Sequence, residues 1–324
     1  MCVLPLSVVL GIARGVPPHH GLYRAIVGGI VIALAGGSKV NISGPTAAFV
    51  VVLLPIVQQF GIGGLLVIGF MAGVILMSMG FMRIGRLIEI VPYPVIVGFT
   101  AGIAVVIATF QIKDFFGLNV QSVDGHYIDK LFQILQALPS THWQETLIGA
   151  ITLGVLIVWP KLRSRIPGHL VAILIGAGIA WGLSQLNGAF SGATIGSRFH
   201  YELNGLMCGG IPPLLPAFEW PWNYPGADGK PIGFSFDLAH TLLASAITIA
   251  VLGALESLFC AVVADGMSGK KHNPNAELIG QGIGNMTVPF FGGVPATASI
   301  ARTAANGRVG GRARPAAGVS GRRR

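Results

Sequence analysis

Residues 241–264 read TLLASAITIAVLGALESLFCAVVA, a run in which Glu256 is the single acidic or basic side chain. An α-helix rises about 1.5 Å per residue, and the hydrocarbon core of a bilayer is about 30 Å thick. About 20 apolar residues therefore suffice to cross a membrane, and this run is longer than that. The segment predicts a transmembrane helix with one carboxylate inside it.

The composition of the whole chain indicates the same class of protein. Hydrophobic residues make up 52% and charged residues 10% of the sequence, with a mean hydropathy of +0.72. Soluble domains carry about 25% charged residues, so this chain has too few to cover a water-exposed surface. The sequence predicts an all-α polytopic membrane protein with hydrophobic spans near 3–16, 22–37, 45–60, 63–81, 92–110, 146–160, 168–185, 239–264, 277–292 and 296–306.

Other function classes find no support in the residues. The net charge of +9 comes largely from arginines near the C-terminus, so it does not indicate a nucleic-acid surface. The three cysteines lack paired spacing, which argues against a metal site or a disulfide framework. Gly280–Gly284 resembles a dinucleotide loop, but its membrane-helix context favours helix packing. We therefore expect neither an enzyme nor a cofactor.

Basic residues in the short loops predict the orientation of the chain. They follow the fourth, sixth and eighth spans, and cytoplasmic loops carry an excess of lysine and arginine. The predicted topology places the N-terminus inside, with even-numbered spans ending in the cytoplasm. The residues that set it are Arg83, Arg86, Lys161, Arg163, Arg165, Lys270 and Lys271.

Two similar interruptions open the third and tenth spans. Residues 43–49 read SGPTAAF and residues 293–300 read GVPATASI. The pattern predicts Pro45 and Pro295 at early helical positions, where the free N–H groups of the first turn favour an anion. Spans three and ten enter from opposite sides, so the pair is typical of an inverted-repeat transporter with a midplane site. The alternative is that glycine and proline merely permit close packing and a loop.

Two charges fall inside predicted spans. Burial of Glu256 favours its neutral form, which suits a proton carrier, and the alternative is a hydrogen-bonded structural acid. Arg302 would attract an anion, and its alternative role is a structural ion pair with Glu256. The cluster at the cytoplasmic end of the eighth and ninth spans is interpreted as a solvated boundary, and it comprises Asp265, Lys270, Lys271, His272 and Glu277.

Several stretches together resemble the sulfate permease family of anion transporters, from about Pro5 to Asn306. Within that family, the chain is most similar to the bacterial branch of proton-coupled four-carbon dicarboxylate transporters. The stretches that carry the resemblance are Gly21–Tyr23, Ser43–Phe49, Arg86–Glu89, Gln111–Phe115, Leu255–Met267 and Pro295–Asn306.

The resemblance implies a fold of fourteen segments in two inverted halves of seven. Residues 1–306 would form part of that transport domain, with spans 1–4 and 8–10 in the core and spans 5–7 in the gate. Glu256 would couple transport to a proton or to sodium. A multi-pass location in the bacterial inner membrane and a possible homodimer are also implied. The implied substrate-binding residues are Ser7, Thr46, Ala47, Ala48, Thr297, Ala298, Ser299 and Arg302.

The function implied is uptake of a dicarboxylate such as succinate or fumarate by an elevator mechanism. The alternatives are sulfate or bicarbonate transport within the same family, an anion channel, and an inactive truncated product. The sequence departs from the family pattern after Asn306, where the Gly/Arg-rich tail 307–324 suggests a disordered or out-of-frame segment. The cytoplasmic STAS domain usual in the family also has no counterpart in these residues.

Overall fold

The computed structural model describes residues 3–13, 15–38, 40–46, 48–88, 93–120, 127–162, 166, 168–187, 192, 194–203, 206–269, 271–299, 302, 303 and 306. Ala47, Lys270 and the tail 307–324 lie outside these residues, so the predictions made for them stay predictions.

Helices dominate the described chain, as predicted. Four short 3₁₀ turns and a π-helical segment, Arg24–Gly28, supplement the α-helices. The α-helices are α1 (Val3–Ala13), α2 (Pro18–Tyr23), α3 (Gly29–Ala35), α4 (Ala48–Phe81), α5 (Gly85–Ile88), α6 (Tyr93–Phe115), α7 (Tyr127–Gln136), α8 (Trp143–Val158), α9 (Gly168–Asn187), α10 (Ile195–Arg198), α11 (Phe236–Ser268) and α12 (Pro274–Thr287).

Five helical stretches of the described chain are long and apolar enough to cross a membrane. They contain six of the ten predicted spans, the third to the eighth, because α4 holds two of them. The other four predicted spans fall on shorter or interrupted helices, such as the 11-residue α1. The five stretches are Ala48–Phe81, Val97–Phe115, Trp143–Leu162, Gly168–Gln185 and Phe236–Ser268.

A bend inside α4 separates the predicted third and fourth spans. Gly61 has φ 69° and ψ −171°, a left-handed conformation that glycine adopts without a steric penalty. A Cβ atom at this position would also collide with the main chain of Gly226. Just beyond the bend, the backbone N–H of Gly63 donates to the carbonyl oxygen of Pro225 at 2.8 Å. The two arms of α4 are thus divided by a backbone requirement that only glycine meets easily.

The chain divides into two compact units, of which the larger comprises Val3–Ile103 and Pro212–Arg324. Its core is formed by apolar side chains of α4, α11 and α12. Gly73 and Gly282 let α4 and α12 approach closely, because a Cβ on Gly282 would lie 2.8 Å from the carbonyl oxygen of Gly73. The packing interpretation of the 280–284 glycines is therefore confirmed. Fully buried core residues include Phe49, Leu53, Leu65, Ile68, Leu76, Leu242, Ile249, Leu258 and Leu278.

The second unit covers Ala104–Ile211 and contains α7 to α10. The helix α7 buries Ile134 and Lys130. A hairpin of β2 (His200–Leu203) and β3 (Leu206–Gly209) lies between the predicted seventh and eighth spans. An exposed ion pair joins Arg198 Nη1 to Asp114 Oδ1 at 3.2 Å.

The two interrupted motifs meet in the larger unit as a short antiparallel pair. Strand β1 (Ser43–Gly44) pairs with β4 (Thr297–Ala298), placing Ser43 opposite Ala298 and Gly44 opposite Thr297. The prediction that Pro45 and Pro295 occupy early helical positions is wrong. Helix α4 begins at Ala48, and the first helical residue described after β4 is Arg302. Strand pairing requires extended backbone on both sides, which displaces both helix starts toward the C-terminus.

Candidate functional site

The pairing of β1 with β4 gives the candidate site its frame. Three further contacts extend it, since Ser299 N–H donates to the Ile42 carbonyl oxygen at 2.9 Å. In return, Ile42 N–H donates to Thr303 Oγ1 at 3.0 Å, and Asn306 Nδ2 donates to the Val40 carbonyl oxygen at 3.1 Å. Main-chain and side-chain hydrogen bonds therefore join the two chain segments beyond the strand pair itself.

Asn285 of α12 fixes the segment that enters β4. Its Oδ1 accepts from Ala296 N–H at 3.0 Å, and its Nδ2 donates to the Ala296 carbonyl oxygen at 2.9 Å. The side chain is buried, with 1% exposure. An asparagine that satisfies both polar groups of one residue holds that residue extended, which explains the local departure from helix.

A row of polar side chains on one face of α12, called the α12 stripe below, contacts both motifs. It consists of Glu277, Gln281 and Asn285, which are four residues apart and therefore share one face of the helix. Gln281 Nε2 donates to Ser43 Oγ at 2.6 Å and to Glu277 Oε1 at 3.2 Å. The stripe connects α12 to β1 at its centre and to the segment entering β4 at its far end.

Glu277 is a buried carboxylate, so its assignment to a solvated boundary is wrong. The residue is 1% exposed, and its Oε2 accepts from the backbone N–H of Ser38 at 2.9 Å. Its Oε1 accepts from Asn41 Nδ2 at 2.8 Å. The reason is that Ser38 and Asn41 lie against the first turn of α12 and donate hydrogen bonds to this carboxylate.

The other described residues of the predicted solvated boundary differ in how far they are buried. Asp265 Oδ2 lies 2.8 Å from His272 Nδ1 and also accepts the backbone N–H of His272 at 3.0 Å. The His272 side chain is almost fully buried, whereas that of Asp265 is partly exposed. Lys271 is exposed, as a solvated boundary requires. The prediction therefore holds for Lys271 and fails for His272.

Helix α11 presents adjacent polar residues to the two motifs. Thr46 Oγ1 donates to Glu256 Oε2 at 3.1 Å, so the membrane acid contacts the segment between β1 and α4. The hydroxyl oxygens of Ser257 and Thr297 lie 2.6 Å apart, and Thr297 Oγ1 also donates to the Gly253 carbonyl oxygen. One helix thereby contacts both interrupted motifs.

Arg302 lies against the strand β1. It is 7% exposed, and its Nη2 donates to the Pro45 carbonyl oxygen at 3.0 Å. Its Nη1 occupies the space that a side chain on Gly44 would fill. Within the described residues, Arg302 donates to Pro45 and Glu256 accepts from Thr46, and a structural ion pair between the two charges stays an untested alternative.

Two nitrogens of Arg302 have no acceptor. Nε and Nη1 are buried and donate to no atom of the described residues. A buried guanidinium that lacks partners is costly, because each lost hydrogen bond to a charged group forfeits about 1.5–3 kcal/mol. The arrangement therefore suits an occupant that accepts hydrogen bonds and carries negative charge.

The remaining predicted site residues are less directly engaged. Ser7 is fully buried in α1, and its main chain packs against Gly21 of α2. Ala48 is buried at the start of α4, and Ala298 is buried in β4 with its N–H directed to Ser257 Oγ at 3.4 Å. Ser299 is half-buried. Thus Thr46, Thr297, Arg302 and Glu256 are brought together around the strand pair, and the role implied for Ser7 stays a prediction.

Side chains that bind metals do not cluster in the described chain. Within those residues, no group of three or more histidine, cysteine, aspartate or glutamate residues could hold a metal ion. The polar groups that meet at the strand pair are instead hydroxyls, amides, one carboxylate and one guanidinium.

Comparison with known proteins identifies the family. Residues 1–320 match the sequence profile of the sulfate permease family. The chain belongs to this family. Its members are integral, multi-pass membrane proteins, which agrees with the apolar helices described above.

The relatives of this family member are named for two inorganic anions. It is 43% identical to YvdB of Bacillus subtilis (strain 168), provisionally named a sulfate transporter, across 94% of this chain and 53% of YvdB. It is 29% identical to the bicarbonate transporter BicA of Picosynechococcus sp. (strain ATCC 27264 / PCC 7002 / PR-6), across 95% of this chain and 52% of BicA. The chain spans about half the length of these curated relatives.

A solved structure confirms the fold class. The transmembrane domain of a cyanobacterial bicarbonate transporter BicA superimposes with a TM-score of 0.79 at 28% identity. The match covers 98% of this chain and 76% of that domain. The sulfate permease fold therefore extends over almost the whole chain.

Sequence reasoning missed two groups of site residues. The α12 stripe had a usable signal, because three polar residues at intervals of four interrupt an otherwise apolar and glycine-rich helix. The signal for Ser257 was weaker, since it adjoins Glu256 in an apolar run where a serine attracts little notice. Both groups are defined by their contacts with residues distant in sequence.

Proposed function

We propose that this chain forms the anion-binding part of a transporter for a small inorganic oxyanion, with sulfate and bicarbonate as the first candidates. Arg302 is the observation that carries the proposal. Its charge is permanent, its side chain is buried, and two of its nitrogens have no acceptor within the described residues. An oxyanion would supply both the missing acceptors and the missing countercharge.

The surroundings of Arg302 support an anion rather than a cation. Gly44 lies beside the guanidinium and has no side chain to block a ligand. The Nη2 of Arg302 already donates a hydrogen bond to the carbonyl oxygen of Pro45. A fixed positive charge in a region of low dielectric repels cations strongly. We therefore infer that the anion binds next to Gly44, at the junction of β1 and α4.

The choice of substrate rests on the relatives. Those described above are named for sulfate or bicarbonate, and neither is named for a dicarboxylate. The inorganic anions therefore replace succinate and fumarate as the favoured substrates. Succinate remains a useful comparison, because its two carboxylates would need a longer site than one guanidinium provides.

Glu256 is proposed as the residue that couples transport to a proton or to sodium. Its carboxylate accepts from Thr46, which follows directly on the β1 segment that contacts Arg302. Protonation would remove that negative charge from the vicinity of the bound anion. The charge state of Glu256 would thereby change the affinity of the site for its substrate.

Uptake by proteoliposomes tests the function. Labelled sulfate, bicarbonate and succinate are offered separately, with and without an inward proton or sodium gradient. We expect uptake of one inorganic anion, stimulated by one of the two gradients, and loss of that stimulation in Glu256→Gln. Asp237→Asn is the matched control, because that acid is exposed in the first turn of α11. Uptake of succinate alone would contradict the substrate proposal.

A further inference from the structure

We propose that a second anion site, specific for a phosphate group, lies between the end of α4 and the start of α12. A cavity of about 510 Å³ is found there, apart from the strand pair. It is lined by Arg83, Arg86, His272, Asn273, Pro274 and Asn275.

Among the described residues, the lining is rich in donors and contains no carboxylate. Arg83 and Arg86 are exposed, and within the described residues neither guanidinium forms an ion pair or a side-chain hydrogen bond. His272 adds an imidazole whose Nδ1 is already engaged by Asp265, outside the lining. Two guanidinium groups at one cavity match the several oxygens of a phosphate, which arginine binds in a bidentate manner.

The turn that carries Arg83 and the short helix α5 that carries Arg86 are held in place by α12. The backbone N–H of Gly85 donates to Asn275 Oδ1 at 3.1 Å. A Cβ on Gly80 would lie 2.9 Å from the carbonyl oxygen of Asn275, so the end of α4 also touches the first turn of α12. Arg83 itself has φ 60°, which is uncommon for a residue other than glycine. The two guanidiniums therefore project from a fixed backbone, which lowers the entropic cost of binding.

The start of α12 contributes only its dipole. Asn273 Oδ1 accepts the N–H groups of Asn275 at 3.1 Å and Ala276 at 3.2 Å, and Pro274 has none to offer. The positive end of the helix still favours an anion in the cavity. Charged hydrogen-bond donors for the ligand are therefore supplied by Arg83 and Arg86.

The ligand can come from two sources that share this chemistry. The distribution of basic loops places the cavity at the cytoplasmic face of the membrane, where anionic phospholipid headgroups are found. A soluble phosphate in the cytoplasm would present the same group. The proposal concerns the phosphate group, and the experiment distinguishes its sources.

Native mass spectrometry of the protein released from nanodiscs tests the lipid source. Discs contain phosphatidylcholine with a minor share of phosphatidylglycerol, and the retained lipids are counted. We expect selective retention of phosphatidylglycerol, reduced at least fivefold in Arg83→Gln/Arg86→Gln and only partly in Arg83→Lys/Arg86→Lys. The matched control is Arg198→Gln/Lys230→Gln, which removes two exposed charges elsewhere and should retain the lipid like the wild type.

Phosphorus NMR tests the soluble source, with inorganic phosphate added to discs of phosphatidylcholine alone. Broadening of the phosphate signal that depends on Arg83 and Arg86, without retention of phosphatidylglycerol, would assign the cavity to a soluble phosphate. Equal lipid retention and equal broadening in the wild type and in Arg83→Gln/Arg86→Gln would overturn the proposal. Neither readout needs transport activity, so failure here leaves the strand-pair site untouched. The thermal unfolding midpoint of each variant verifies that it is folded.

Discussion

The carboxylate of Glu277 accepts a hydrogen bond from the side-chain amide of Asn41 at 2.8 Å, across 236 positions of sequence. The same carboxylate also receives the backbone N–H of Ser38 and the amide of Gln281. The segment that leads into β1 is therefore anchored to α12 by one buried acid. The strand β1 and the residue that follows it, Pro45, lie against Arg302. The hydrogen bonds of Glu277 therefore help to fix the position of the proposed anion site.

Replacement of Glu277 should destabilise the protein. Glu277→Ala removes the acceptor of the Ser38 N–H and of the Asn41 amide and leaves Gln281 Nε2 with Ser43 alone. Each buried donor left unsatisfied costs about 1–3 kcal/mol. Thermal unfolding in detergent should show a lower midpoint for Glu277→Ala than for Glu277→Gln, which retains one acceptor oxygen. Asp237→Asn serves as the control for loss of an exposed acid. An unchanged midpoint in Glu277→Ala would show that the anchor has no energetic role.

The two hydrogen bonds between Asn285 and Ala296 should contribute to both the stability of the fold and the affinity for the anion. Asn285→Ala leaves the buried N–H and carbonyl groups of Ala296 without their side-chain hydrogen-bond partner. Each such loss costs about 1–3 kcal/mol of folding free energy. The segment entering β4 would lose its fixed extended geometry, so we expect anion affinity to fall about tenfold or more. Equilibrium binding of labelled sulfate or bicarbonate measures this effect. Asn223→Ala, at an exposed position outside the helices that form the site, should bind like the wild type.

A methyl group at Gly44 should displace Arg302. The Cβ of Gly44→Ala would overlap Nη1 of the guanidinium, so either the arginine or strand β1 must move. We expect weaker anion binding with little loss of overall helicity. Gly98→Ala and Gly178→Ala are matched controls, because a Cβ at either position has no neighbour within 4 Å. Wild-type affinity in Gly44→Ala would mean that the anion does not depend on the present position of Arg302.

Much of the helical framework could be predicted from the sequence, because apolar runs of bilayer length leave few alternatives. The predicted third to eighth spans all fall on long apolar helices, and the break between the third and fourth coincides with the bend at Gly61. Glu256 and Arg302 were identified because an ionisable group inside an apolar run is conspicuous. Their separate hydrogen-bond partners, Thr46 and Pro45, required the structure.

The strand pair could not be predicted. Two-residue strands have no periodicity to detect, and their pairing joins segments that are more than 250 residues apart. Proline and glycine in both motifs favoured helix starts, but Asn285 and the strand partner hold the chain extended instead. The burial of Glu277 was missed for a similar reason. Its charge predicted exposure to solvent, whereas the residues that cover it, Ser38 and Asn41, lie far away in the sequence.

Arg302 provides the most direct test of the proposed anion site. Equilibrium binding of labelled sulfate and of labelled bicarbonate is measured on the purified chain, on Arg302→Gln and on the control Arg198→Gln. We expect saturable binding of one anion to the wild type and to Arg198→Gln, and a loss of at least fiftyfold in affinity in Arg302→Gln, with an unfolding midpoint that shows a folded variant. Equal affinity in a folded Arg302→Gln would contradict the proposal that the buried guanidinium binds the anion.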